Sequence, residues 1–290
     1  MTILSINNLS MSYKKQKVLD NINLTINSPG IWALVGPNGT GKTTFLNTVT
    51  NLIPATSGKV TLVGKPNTDT SVFKEVAFLQ DNTVLFDYLN GYDHLKYICE
   101  VQKINKNRIQ EVAKYVGMEK YLKKTVGNYS LGMKQHLLLA MTIINKPKLL
   151  LLDEPLNGLD PTSAILMRKI LLELADQGTT IILSSHNLSE IDRVTKQILF
   201  LKDGQIIEED MNQHETTYYH FIVSDLVRAV KLLTAENYQI GQTEHGFKVV
   251  LGSHLLQHLF DLLKKEKIDI LDVQKEIVSS EKRYEEIFEV

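Results

Sequence analysis

The sequence predicts an α/β protein: a largely parallel sheet flanked by helices, interrupted by one helical insertion and followed by a small α+β unit. Three observations carry this. Short apolar strands alternate with helices along most of residues 1–210, the pattern of a parallel sheet with crossover helices. Between about 90 and 145 only helical spacing remains. Past the polar stretch Glu208 to Glu215 the order of elements changes. A length of 290 residues agrees with two domains at roughly 150 residues each.

The elements follow in order. Ile3 to Ile6 and Val18 to Ile26 have strand patterning. Ile31-Trp32-Ala33-Leu34-Val35 is an apolar run that stops at Gly36, as a buried strand does. Thr43 to Asn51 reads as a helix closed by Pro54, and 58–64 and 75–79 as strands. Tyr92, Leu95, Ile98 and Val101, then Ile109, Val112 and Val116, recur at helical spacing. Lys148 to Leu152 is a buried strand, 161–176 a helix, 179–184 a strand and 188–196 a helix. Ile198 to Leu201 and Gln205 to Glu209 flank Lys202-Asp203-Gly204, a hairpin signal. Residues 208–215 read as a linker. The elements from 217 to 276 then run β-α-β-β-α-β, a split ferredoxin-like order, with a last helix at 281–289.

Composition removes several classes of function. The 32 basic and 33 acidic residues nearly cancel, whereas a chain built to hold nucleic acid carries a basic excess. No nucleic-acid partner is expected. The single cysteine, Cys99, permits no internal disulfide and reads as a packing residue. The N-terminus has no basic region or cleavage site of a signal peptide. No apolar run approaches the roughly 20 residues a membrane span needs; Leu137 to Ile144, interrupted only by Thr142, is the longest. Membrane helices, where the chain works at a membrane, must come from another subunit.

Gly36-Pro37-Asn38-Gly39-Thr40-Gly41-Lys42-Thr43 matches G-x-x-x-x-G-K-S/T between an apolar strand and a helix, the context of a phosphate-binding P-loop. The glycines let successive N–H groups face phosphates, and the helix adds its positive end. Lys42 would reach the β- and γ-phosphates and the Thr43 hydroxyl would hold Mg2+. Asp153 ends the run Leu149 to Leu152, where α/β sheets place ligand chemistry. It suits a Walker-B role at the metal, and Glu154 suits the polarisation of an attacking water. Asn145-Lys146-Pro147-Lys148 mimics a guanine-reading motif but lacks its carboxylate.

Further motifs narrow the class. Tyr129-Ser130-Leu131-Gly132-Met133-Lys134-Gln135 opens a helical run, with Gly132 lying 21 residues before Asp153. Asn157-Gly158-Leu159-Asp160-Pro161 follows, and Ser184-Ser185-His186 closes an apolar strand. These resemble, in order, the signature, D-loop and switch histidine of ABC (ATP-binding cassette) transporter ATPases. Over residues 1 to about 210 the resemblance implies an ABC cassette with a RecA-like sheet core, an antiparallel β part and a helical subdomain at about 90–145. It implies ATP and Mg2+ as ligands and ATP hydrolysis as the reaction, with Glu154 and His186 catalytic. Nucleotide contacts fall to Tyr13, Gly36, Asn38, Gly39, Gly41, Lys42, Thr43, Thr44, Gln80, Asp81, Ser130, Gly132 and Asp160. Tyr13 would stack on adenine, and Ser130 and Gly132 would meet the γ-phosphate held by the facing protomer. The metal set is Thr43, Asp153 and Gln80, although either Gln80 or Asp81 satisfies the Q-loop position. Leu131 and Met133 depart from the common signature, and His136 stands where bacitracin-type proteins carry arginine.

The resemblance implies a homodimer or a heterodimer of cassettes, bound peripherally to an integral-membrane permease on the cytoplasmic face. Beyond about residue 210 it is weaker. A C-terminal extension is common in bacitracin, lantibiotic-immunity and phenol-soluble-modulin exporter ATPases, and Glu281 to Phe288 is similar to theirs. The total length is nearest the last group. Residues 216–290 are expected to regulate or dock. Within them His254 and His258 are spaced for one helix face, but no third ligand converges, so they read as helix surface.

Overall fold

The computed structural model describes residues 2–213, 217–243, 245–251, 255–277 and 280–289. The chain divides into two compact units, Met1–Asp210 and Met211–Val290.

The first unit opens with β1 (Leu4–Tyr13), β2 (Gln16–Ile26), β3 (Gly30–Val35), α1 (Lys42–Val49), β4 (Ser57–Leu62), β5 (Lys65–Pro66) and β6 (Val76–Leu79). Three helices follow: α2 (Gly91–Gln102), α3 (Asn107–Tyr115) and α4 (Leu131–Ile143). It closes with β7 (Leu149–Leu152), α5 (Pro161–Asp176), β8 (Thr180–Ser185), α6 (Leu188–Ile191), β9 (Gln197–Lys202) and β10 (Gln205–Asp210).

Two sheets result. An antiparallel sheet has the order β2-β1-β4-β5. The central sheet has the order β10-β9-β3-β8-β7-β6, parallel except for β10 at its edge. Strands β7 and β8 are buried at every position, as central strands covered on both faces must be. Their lack of apolar/polar alternation follows from that double burial. One core joins the two sheets through Leu4, Ile6, Leu19, Leu34, Phe45 and Leu151, among others. Each such side chain contributes roughly 1.5–3 kcal/mol through removal from water. Cys99 is a free thiol buried in α2, and burial pushes its pKa up. No helix among the described residues is long and apolar enough to cross a membrane.

Four segments differ from the expectations. Strand β1 runs on to Tyr13, well past Ile6, because β2 and β4 both pair with it. The region 90–145 is not continuously helical: Gly117, at φ +73°, ends the first pair of helices, and a short 3-10 turn, Val126–Asn128, precedes α4. The helix expected at 188–196 stops at Ile191. The Thr195 hydroxyl donates to the Ile31 carbonyl, which ties the chain to β3 just before it enters β9. Finally, Glu208 to Asp210 are not linker; they pair with β9 as part of β10.

The second unit runs β11 (Thr217–Val223), α7 (Leu226–Ala235), β12 (Gln239–Gln242), β13 (Phe247–Val250), α8 (Leu256–Lys265), β14 (Ile270–Ile277) and α9 (Ser280–Phe288). Its antiparallel sheet has the order β12-β13-β11-β14. Phe221 stacks on Phe247 at 5.2 Å, and Ala229, Leu233, Leu259 and Leu263 from α7 and α8 complete a separate core. His254 lies outside the described residues. His258 shares a hydrogen bond with the Tyr238 hydroxyl at 2.8 Å. Among the described residues no cluster of three metal-ligating side chains occurs.

Candidate active site

The strand order explains the site. In a parallel sheet all carboxyl ends lie on one edge, and β3, β8, β7 and β6 are consecutive neighbours. Their following residues are Gly36, His186, Asp153 and Gln80. Segments far apart in the chain therefore meet at one edge, the usual ligand position of α/β sheets.

The phosphate loop bends where glycine is required. A Cβ at Gly36 would lie 2.8 Å from Thr40 Oγ1 and 2.9 Å from the Leu201 carbonyl oxygen. Gly41 has φ +105°, and a Cβ there would lie 2.6 Å from Val18 Cγ1. Asn38 and Gly39 form the exposed turn. Gly41 is also the N-cap of α1, with no side-chain cap on the helix. The first N–H groups of α1 thus point at the loop without a side-chain acceptor, an arrangement that suits a phosphate.

Lys42 is buried and donates to the Gly36 carbonyl at 2.7 Å and the Pro37 carbonyl at 3.2 Å. Burial holds its pKa below the usual lysine value, while Glu154 and Asp153 act in the opposite direction. Its ammonium lies 4.0 Å from Glu154 Oε1. The other Glu154 oxygen, Oε2, lies 3.0 Å from His186 Nδ1. Glu154 therefore stands between the Lys42 ammonium and the His186 imidazole.

Asp153 is held at both oxygens. Oδ2 accepts from the Thr43 hydroxyl at 2.7 Å and Oδ1 from the Ser184 hydroxyl at 2.5 Å. Thr43 and Asp153 supply hard oxygen donors, the chemistry Mg2+ selects. Neighbouring ligands of an octahedral Mg2+ stand about 2.9 Å apart, close to the observed separation of Thr43 and Asp153. The residues present fit that ion.

The family model described as ABC transporter matches residues 19–157. The lantibiotic transport ATP-binding protein SrtF of Streptococcus pyogenes is 37% identical over 207 residues, which cover 71% of this chain and 90% of that protein. The chain belongs to the ABC transporter ATP-binding proteins. The bacitracin transport ATP-binding protein BcrA of Bacillus licheniformis is 32% identical over 284 residues, 94% of this chain and 92% of that one. A solved ATP-binding subunit of an ABC transporter superposes with a TM-score of 0.68 at 24% identity, covering 73% of this chain and 91% of that chain. This chain is an ATPase of that family.

The other motif segments read from the sequence occupy a second cluster. Ser130 is the N-cap of α4, accepting from the Met133 amide at 3.3 Å. Gly132 packs on the start of α5, where a Cβ would lie 3.0 Å from Ser163 Oγ. Gly158, at φ +69°, faces Leu131; a Cβ there would lie 2.7 Å from Leu131 Cδ2. The segments 129–135 and 157–161 thus touch through Leu131. Asp160 caps α5, accepting from the Thr162 and Ser163 amides at 3.0 and 3.1 Å and from Ser163 Oγ at 2.7 Å. The Ser163 hydroxyl foremost, then these amides, hold its carboxyl below the usual value. His136 is buried, with Nδ1 2.9 Å from the Tyr121 hydroxyl and no hydrogen-bond partner at Nε2.

The two Q-loop candidates behave differently. Gln80 Nε2 approaches Asn47 Oδ1 on α1 at 3.4 Å. Asp81 turns to its own loop, where its carboxylate accepts from the Thr83 amide at 2.8 Å and from the Thr83 hydroxyl. Tyr13 ends β1 and is 46% exposed. His186 and Glu154 border an open cleft of about 410 Å3 with Gly158, Leu159, Arg168 and Glu190.

Sequence reading missed Ser184, whose hydroxyl touches both acidic residues. Its only signal was a polar residue at the end of an apolar strand. For His186→Ala we expect turnover to fall about a hundredfold, with ATP affinity within threefold of the parent. Steady-state hydrolysis together with titration of a fluorescent ATP analogue checks this. An unchanged turnover number would remove His186 from the reaction.

Proposed function

We propose that this ATPase powers export of a peptide or antimicrobial compound through separate integral-membrane subunits. The observation that carries the reading is the likeness to the bacitracin transport protein, which spans 94% of this chain and so extends into the second unit. In this reading the chain sits peripherally on the cytoplasmic face of the membrane. It pairs with its own copy or with a second ATP-binding chain, and two ATP molecules lie between them.

The P-loop residues Gly36, Asn38, Gly39, Gly41, Lys42, Thr43 and Thr44 hold the phosphates. Tyr13, exposed at the end of β1, stacks on adenine. Thr43 and Asp153 hold Mg2+, which offsets phosphate charge when bound. Gln80 completes that side, since the Asp81 carboxylate is engaged as a turn cap. Glu154 takes the proton of the attacking water, and His186 orients Glu154 from its other side. Ser130, Gly132 and Asp160 face the nucleotide of the opposite protomer.

The experiment is recovery of the tagged chain from native membranes. A polytopic membrane protein should co-purify, and vesicles holding the pair should move labelled bacitracin or lantibiotic only with ATP. Recovery solely from the soluble fraction, without a membrane protein, would favour a soluble ABC ATPase outside transport.

Residues 216–290 act in this proposal as a regulatory or docking unit without chemistry. Their core is separate, and the catalytic motifs end at His186. Truncation after Asp210 should leave ATP affinity within about twofold while changing dimerisation or coupling to the membrane subunits. Circular dichroism and nucleotide titration of the truncated chain check this. A folded cassette that no longer binds ATP would place part of the nucleotide site in the second unit.

A further inference from the structure

We propose that Ser184 is a positioning residue that sets the Asp153–Glu154 pair for hydrolysis. This rests on the reading of that pair given above. Ser184 is fully buried on β8. The β7–β8 register pairs Leu152 with Leu183, so the next residue of each strand, Asp153 and Ser184, stand side by side.

The hydroxyl makes two hydrogen bonds of fixed direction. The Glu154 amide can only donate, and it does so to Ser184 Oγ at 2.9 Å. The single hydroxyl proton is then left for Asp153 Oδ1, at 2.5 Å. One oxygen atom therefore ties the metal-side carboxylate to the backbone of the residue beside it. That backbone needs a tie. Glu154 has φ +48°, in the left-handed region that residues with a side chain seldom occupy. Such conformations persist where surrounding contacts over-determine them, and they cluster at functional sites. Here the holding contact comes from the neighbouring strand.

The left-handed turn also directs the Glu154 side chain. With it in place, Oε1 lies 4.0 Å from Lys42 and Oε2 lies 3.0 Å from His186. If the amide is released, the peptide relaxes towards an ordinary conformation and the carboxylate leaves that line. Asp153 meanwhile keeps only its Thr43 contact among these hydrogen bonds. Ser184 touches no residue of the P-loop through a hydrogen bond, so phosphate binding itself should not depend on it.

The test separates these effects. In Ser184→Ala, kcat should fall about 10–100-fold, the usual cost of removing a partner that orients a metal-side ligand. KM for ATP and the affinity for a fluorescent ATP analogue measured in EDTA should stay within twofold. The Mg2+ concentration giving half-maximal turnover should rise. Ser184→Cys has nearly the same volume with a weaker donor and should show an intermediate kcat; it also serves should the alanine variant fail to fold. A kcat within twofold of the parent in a folded variant overturns the proposal. So does a loss of kcat matched by equal losses of metal-free ATP affinity and melting temperature, which marks a packing role only. If the parent chain itself does not hydrolyse ATP, the underlying assignment of Asp153 and Glu154 fails instead.

Discussion

Replacing Lys42 by alanine should lower ATP affinity about a hundredfold or more. The ammonium is buried at the phosphate loop and bonds two of its carbonyls, those of Gly36 and Pro37. It is held there against the cost of desolvation, which Glu154 and Asp153 partly offset. A positive charge kept in a poorly solvated place gains strongly from phosphate oxygens, because charge-assisted hydrogen bonds are about twice as strong as neutral ones. Loss of two such contacts amounts to about 3 kcal/mol, and each 1.4 kcal/mol is about tenfold in affinity. Removing the lysine also takes from Glu154 the ammonium at 4.0 Å. Calorimetric titration with ATP and Mg2+ measures the loss. An affinity within twofold of the parent would mean that the loop does not hold the phosphates.

The second large effect is expected from Glu154→Gln. An amide has almost the shape of the carboxylate but cannot take a proton from water, so turnover should fall about 100- to 10,000-fold. ATP affinity should persist, because the phosphate loop and Lys42 are untouched. With hydrolysis blocked and binding intact, the ATP-bound dimer should outlive a size-exclusion run that resolves the parent as monomer. The lysine loses one opposing charge at 4.0 Å, which favours a bound triphosphate slightly. Normal hydrolysis by a variant that stays monomeric with ATP would assign the water-activating role elsewhere. The two experiments are complementary. Lys42→Ala removes binding and with it turnover, whereas Glu154→Gln separates the two.

Much of the candidate site is read from the sequence because its motifs are written locally. The phosphate loop is one segment bounded by a strand and a helix, and Asp153 follows four leucines. Local composition decides such features, and no long-range contact is needed to read them. What escaped depends on register between strands. Ser184 acquires its role only because β8 pairs with β7 at Leu183 and Leu152. The end of α6 is set by a bond from Thr195 to Ile31, which periodicity does not show. Gln80 and Asp81 are adjacent, and the contacts with Asn47 and Thr83 distinguish them. Asp160 caps α5, a local bond that the following Pro161 already signals. Strand β1 is extended past Ile6 by two partners, β4 as far as Ser10 and β2 as far as Tyr13.

The central sheet also bears on how the molecule comes into being during synthesis. Strand β3 lies between β8 and β9 and touches neither β1 nor β2 as a ladder partner. Its Gly30 pairs with Thr180, 150 positions later in the chain. The phosphate loop therefore leaves the ribosome long before the strands that flank it exist. Non-local pairing of this kind is slow, because loop closure precedes any reward from contact. Until β8 arrives, β3 is an apolar strand with both edges open, the form of nascent chain that associates wrongly with others. Bound ATP stabilises the folded cassette by mass action, whereas the sheet around β3 closes only when β8 arrives.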